Sequence, residues 1–195
     1  TEITTEEGIE VFQKEKYYLL KKGVIIDSDE FTLSADLVKA FFEKDLYDII
    51  KIFSKGNVIL KSTKGISASG NNLEFDIKNE NLKVSGMNSL LINKKVKMVS
   101  DEVIQVNNQS GKFNIEGPNS KLESDDIFIT GSLIKGEYSK LENDNDFKNL
   151  YVEDKKELYI KTETLDMYAL KAIYDSSKTI ELFDNVKILR DNESI

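Results

Sequence analysis

Acidic side chains are the most numerous reactive groups in this sequence: 35 Asp and Glu stand against 27 Lys and Arg, with no His and no Cys. Serine–histidine and cysteine–histidine nucleophilic pairs are therefore excluded. A zinc site would lack its usual nitrogen and sulfur ligands. Carboxylates could still hold calcium or do acid–base work. Glu142, Asp144 and Asp146 alternate like the opening of a calcium loop. Such a loop needs Gly at its sixth position and Glu at its twelfth. Counted from Asp144 these are Asn149 and Lys155, so the pattern fails. Asp125-Asp126 and Asp27, Asp29 and Glu30 could supply the two carboxylates of a glycosidase. They stand, however, where acidic residues commonly form turns. Tyr17-Tyr18 reads as a half-buried strand rather than a sugar platform. Gly65-Ile66-Ser67-Ala68-Ser69-Gly70 lacks the Gly-Lys-Ser/Thr ending of a phosphate loop. The expectation is a protein without catalytic residues, metal or cofactor.

The elements behind these groups repeat. Gly23 to Gly56 is 33 residues, Gly56 to Gly86 is 30 and Gly86 to Gly117 is 31. Asp184 stands in a glycine-like place 67 residues beyond Gly117, about two periods on. Each copy reads strand, turn, strand, as in Leu73-Glu74-Phe75-Asp76 followed by Leu82-Lys83-Val84-Ser85-Gly86. The turns are rich in Asn, Asp, Lys and Gly, residues that tolerate left-handed backbone. Phe31, Leu33, Ala35 and Leu37 alternate with Thr32, Ser34 and Asp36, the period of a half-buried antiparallel strand. The stretch from Leu37 to Phe53 also suits a helix, with apolar residues at 38, 42, 46, 49 and 53. Its alignment with the other copies favours strand, turn, strand. Repetition of this kind is one supersecondary unit stacked on itself. An all-β sandwich or barrel-like architecture follows.

The chain has 195 residues, a hydrophobic content of 39% and a single Pro, which fit one folded domain over 1–195. An acidic loop near 141–149, centred on Leu141–Asp146, replaces part of a fifth copy. No stretch approaches the roughly 20 apolar residues of a membrane-spanning helix. The chain starts at Thr1 without an initiator Met, which fits a product whose targeting segment has been removed. Net charge is −8 with no basic stripe, so phosphate-neutralising nucleic-acid binding is not expected.

Stacked β units share one apolar face. If two sheets splay, that face lines a groove. The lining positions are then Leu33, Ala35, Val58, Leu60, Ala68, Leu73, Phe75, Leu82, Val84, Leu90, Ile92, Met98, Ile104, Val106, Phe113 and Ile115. Ala35 and Ala68 would leave room. The competing reading is that the same residues fill a closed core, in a structural β-repeat scaffold that assembles end to end. Ile9-Glu10-Val11-Phe12 and Asn185-Val186-Lys187-Ile188-Leu189 are the candidate edge strands, open to strand addition.

Gly23-Val24-Ile25-Ile26 followed by Phe31-Thr32-Leu33-Ser34-Ala35-Asp36-Leu37-Val38 resembles the OstA-like domain of lipopolysaccharide transport proteins, the family of LptA, LptC and the LptD N-terminal domain. Ile52 to Leu60, Ile66 to Gly70 and Ile3 to Val11 continue the resemblance. It covers roughly 3 to 138 and, weakly, 150 to 190. The longer C-terminal half and the acidic loop at 141–146 depart from a compact LptA and leave open whether the resemblance is to LptA, to LptC or to the domain of a larger chain. The resemblance implies an open antiparallel β-jellyroll in the periplasm, a greasy interior for the lipid A acyl chains of lipopolysaccharide, and no enzymatic activity. It further implies pairing of terminal edge strands with LptC-like and LptD-like jellyrolls, or head-to-tail with copies of itself.

Overall fold

The structure is a computed structural model and describes residues 1–138, 147–175 and 177–190. The residues 141–146 of the expected acidic loop, including the calcium-like Glu142, Asp144 and Asp146, lie outside the described residues. The described chain is all β. Its strands are β1 (Glu2–Thr4), β2 (Ile9–Phe12), β3 (Tyr17–Asp27), β4 (Phe31–Phe42), β5 (Ile49–Ser62), β6 (Ile66–Asp76), β7 (Asn81–Ser85) and β8 (Ser89–Asn93). They continue with β9 (Val96–Ser100), β10 (Val103–Asn107), β11 (Lys112–Glu123), β12 (Phe128–Tyr138), β13 (Phe147–Lys161), β14 (Leu165–Tyr174), β15 (Ile180–Phe183) and β16 (Lys187–Arg190). All belong to one 16-stranded antiparallel sheet. The segment from Leu37 to Phe53 is strand, turn, strand. Its loop is held by Asp45, which accepts from the Tyr47 and Asp48 amides.

The sheet is folded back on itself. Phe75 pairs Ile52, and Ile52 pairs Ala40. In a flat sheet Phe31, nine residues from Ala40, would stand about 30 Å away. The Phe31 and Phe75 rings instead meet edge to face, with centroids 5.8 Å apart. The fold line crosses the long strands at their register breaks, between Lys21 and Val24, Ser34 and Leu37, Lys55 and Val58, and Glu116 and Ser120. Each long strand therefore spends one half in each of two facing leaves. The first leaf also contains β2, β7, β10 and β15. The second contains β1, β8, β9 and β16. From β6 to β11 the pairing runs through β7 and β10 in one leaf and through β8 and β9 in the other. Eight long strands and four split ones make twelve rungs. The architecture is a creased, two-leaved antiparallel jellyroll.

The repeated glycines mark the crease and not the chain reversals. Gly56 sits at φ 77° with Asn57 at 49°, and Gly117 at 109° with Asn119 at 57°. A β-carbon on Gly56 would lie 2.3 Å from Asp36 Oδ2, and one on Gly117 equally close to Glu102 Cβ. Both the conformation and the close approach demand Gly. The neighbouring asparagines stitch adjacent rungs: Asn57 Nδ2 donates to Asp36 and Asn119 Nδ2 to Asp101. The Asn119 amide and then the Asn88 backbone N–H hold the Asp101 carboxyl below its ordinary range. Asp184 and Asn185 adopt the same left-handed pair, at 61° and 53°. In β13 the pattern is replaced by a wider break between Glu153 and Leu158, capped by Asp154. That is why this copy is hard to recognise. The crease also shifts phase. Leu37 follows the break and pairs Lys55 on the outer face, contrary to the simple alternation from Phe31, and Val38 turns inward instead.

Candidate functional site

The space between the leaves is lined by rows of side chains, one from each rung. On the second leaf the row runs Ile3, Ile26, Leu33, Leu60, Ala68, Leu91, Met98, Leu122, Ile129, Ile160, Met167 and Ile188 without interruption. On the first leaf, near the crease, it runs Ile9, Leu20, Val38, Ser54, Leu73, Val84, Ile104, Ile115, Ile134, Val152, Ala172 and Leu182. The first leaf's outer lip, opposite the crease, adds Val11, Tyr18, Ala40, Ile52, Phe75, Leu82, Val106, Phe113, Gly136, Leu150, Tyr174 and Ile180. Strand pleating puts every second residue on one face, and antiparallel pairing aligns them across rungs. Next to the crease of the second leaf, three serines interrupt a row that is otherwise apolar at Val24, Ala35, Val58, Leu158 and Ala169. Ser89 donates to the Gly86 carbonyl, Ser120 to Gly117 and Ser100 to Glu116. These hydroxyls satisfy carbonyls that the bends leave without a ladder partner.

Thirteen of the sixteen expected lining residues lie buried in these inner faces: Leu33, Ala35, Val58, Leu60, Ala68, Leu73, Leu82, Val84, Met98, Ile104, Val106, Phe113 and Ile115. Phe75 faces inward but is half-buried at the lip. Leu90 and Ile92 are corrected: they alternate to the outer face, and Ser89, Leu91 and Asn93 point inward. Leu90-Leu91-Ile92 is an unbroken apolar triple, so alternation carries no phase there. The tight turn pairing Asn93 with Val96 sets it. The C-terminal rungs supply Leu122, Ile129, Ile134, Val152, Leu158, Ile160 and Met167, which the repeat did not reach. Alternation alone, as in Leu158-Tyr159-Ile160, carries their signal.

The leaves are closed on each other. Among the described residues, apolar cavities between the leaves measure about 40 Å³ near Phe31 and Phe75 and about 10 Å³ among Ile129, Leu150 and Ala172. Ser54 Oγ is buried in the middle of an apolar row with no partner. Along the mouth opposite the crease, Lys64 of the second leaf meets Glu80 of the first at 3.1 Å. Lys64, and then Asn108, hold the Glu80 carboxyl below its ordinary range. Further along, Phe113, Tyr138 and Phe147 form a ring cluster, and the Tyr138 hydroxyl donates to Met98 Sδ across the mouth.

At both ends the rows run out into solvent. Ile9 is 48% exposed and Val11 42% at one end, and Ile188 is 54% exposed at the other. The N-terminal end also holds a recess of about 270 Å³ lined by Ile3, Ile9, Leu46, Tyr47 and Tyr18.

The other singled-out groups, Tyr18 apart, fall outside this interior. Asp125 ion-pairs with Lys95 between turns, and Asp27, the last residue of β3, accepts from Thr32 of β4. Tyr17 and Tyr18 split between faces. Tyr18 points inward, and Tyr17 joins an outer row in which it stacks on Phe12 at 17°, tilts 46° from Phe41, and Phe41 stands 72° from Phe53.

Burial raises the Tyr138 phenol far above its ordinary range, and burial with the nearby Tyr47 does the same for Tyr18. Both favour the neutral form in the fold, so their contribution to stability is complete below about pH 10 and is lost as pH rises past it. The chain has eight Tyr and no Trp, so phenolate absorbance is read cleanly. Tyr18 and Tyr138 should stay neutral on alkaline titration until the protein unfolds. Titration of all eight before loss of the far-ultraviolet strand signal would contradict this.

No protein-family model matches the chain, and no curated protein matches it. Among solved structures it is similar to the crystal structure of LptH, the LptA homologous periplasmic component of the conserved lipopolysaccharide transport device from Pseudomonas aeruginosa. Identity is 8%, over 96% of this chain and 92% of that chain, with a TM-score of 0.27. A likeness at that score carries none of the functional reading below.

Proposed function

We propose that this chain is a periplasmic bridge module that carries the acyl chains of lipopolysaccharide between its leaves. In this reading it joins LptC-like and LptD-like jellyrolls, or copies of itself, end to end. The observation that carries the reading is the trio of inner rows, each twelve residues long, with Ile9 and Val11 exposed at one end and Ile188 at the other. Such exposed apolar residues continuing a row are what a relay between neighbouring jellyrolls would cover. The Gly23-Val24-Ile25 and Leu33-Ser34-Ala35-Asp36 segments support the lipopolysaccharide assignment by their resemblance to OstA-like domains.

The energetics are workable. Each buried methylene contributes about 0.8 kcal/mol, so a dozen supply roughly 10 kcal/mol before the cost of ordering the lipid. Phosphates left in water spare a net-negative protein any charge conflict. The filled interior means that acyl chains enter only as the leaves part. That filling also favours a second reading, an end-to-end scaffold whose core stays closed. A photo-crosslinking residue at Val106, with Tyr168 on the outer face as control, separates the two. Adducts with lipopolysaccharide at Val106 alone support the carrier. Silence at Val106 and at every other inward position leaves the scaffold.

A further inference from the structure

We propose that the mouth between the β5–β6 turn and the β6–β7 turn is where a single hydrocarbon chain enters the interior. This rests on the carrier reading and adds a lateral doorway to it, distinct from the two ends. The cavity of about 40 Å³ lies here, walled by Phe31, Ile66, Phe75, Ile77, Leu82 and Val106. By volume it has room for about three waters. Phe75, Leu82 and Val106 are consecutive members of the first leaf's lip row. A chain end that passes the lip therefore meets the continuous apolar track without crossing a polar layer.

What closes this doorway is weak. Lys64 and Glu80 are a solvent-facing pair, and such pairs contribute little. Behind them stands one edge-to-face contact between Phe31 and the half-buried Phe75. Elsewhere along the lip the Tyr138 hydroxyl, packed by the Phe113 and Phe147 rings of its own leaf, reaches Met98 of the facing leaf. The chemistry also suits an anionic head group. Glu80 Oε1 accepts from Lys64 while its Oε2 accepts from Asn108 Nδ2 at 3.1 Å. When Lys64 swings out, Glu80 keeps its Asn108 bond, and the freed ammonium meets a carboxylate or phosphate at the rim. The occupant is thus an acyl chain inside with an anionic head left outside.

The absence of Trp gives a clean test. Single reporters are placed at the doorway (Ile77→Trp, and Ile66→Trp on the facing leaf), in the distant ring cluster (Phe147→Trp) and outside (Tyr168→Trp). Folding of each is checked by circular dichroism. The probe is stearate brominated at mid-chain, followed by stopped-flow quenching. Doorway reporters should quench first, Phe147→Trp more slowly and Tyr168→Trp not at all. Glu80→Gln should speed doorway quenching by up to about fivefold, as loss of an exposed ion pair allows. Quenching at Phe147→Trp as fast as or faster than at both doorway reporters would overturn the doorway and leave the carrier standing. No quenching at any inward reporter would overturn both. A dibrominated alcohol of equal length separates the head-group role: Lys64→Ala also removes the closing pair, so it should speed the alcohol as Glu80→Gln does while stearate gains less or slows, and equal speeding of both would overturn the role given to Lys64.

Discussion

Leu91→Ala should cost the fold about 2–5 kcal/mol, and Leu90→Ala, one residue earlier, only a fraction of that. Leu91 is fully buried in the second leaf's row, paired with Ala68 on one side and Met98 on the other. Truncating it removes the transfer energy of the side chain and leaves a cavity between closed leaves. Leu90 lies on the outer face, where water fills what is removed. Urea unfolding of the two variants beside the parent reads the difference directly. Equal losses would mean that the register of β8 is wrong and that the row is broken at its middle.

This pair of leucines also marks the limit of what the sequence discloses. Strand content, the repeat and the inward set from Leu33 to Ile115 are legible because period-two alternation survives in most copies. Two features are not legible. Consecutive apolar residues, as at Leu90-Leu91-Ile92, have no phase of their own and take it from a turn. The fold line is written in Gly and Asn, which read equally well as ordinary turns. Contacts between the leaves, such as that of Phe31 with Phe75 at 5.8 Å, reveal that the glycines bend strands and do not end them. The phase shift at Leu37 has the same origin. In the degraded copy beyond Gly117 the crease signature gives way to the Asp154 cap, so the inward residues of β13 escape a search by repeat.

Ile188→Lys and Ile9→Lys should each abolish self-association, weakening it by at least about tenfold. The rungs alternate in direction, and there are twelve. The last, β15 into β16, runs from the first leaf to the second, and the first, β1 into β2, runs the opposite way. Laid end to end, the last rung of one copy is antiparallel to the first of the next. Ile188 then falls beside Ile3, Leu182 beside Ile9 and Ile180 beside Val11, so all three rows continue. An exposed edge with an apolar inner face is a template for this pairing. A lysine at either end puts a charge into the joint. Head-to-tail geometry carries a further signature. Each variant keeps one good end, so an equimolar mixture should form dimers that stop there. Sedimentation velocity over a wide concentration range reads both outcomes. Monomers at all concentrations in the parent, or no rescue in the mixture, would rule out the end-to-end joint.

The most direct measurement is the distance across the mouth with and without lipopolysaccharide. The chain has no Cys, so spin labels at Thr63→Cys on the second leaf and Lys78→Cys on the first are unique. A same-leaf pair, Thr63→Cys with Lys94→Cys, serves as control. A carrier whose leaves part for acyl chains predicts that the Thr63–Lys78 distance widens by roughly the width of one hydrocarbon chain on saturation, with the control pair unmoved. An unchanged distance across the mouth at saturating lipopolysaccharide would contradict the carrier and leave a closed-core scaffold.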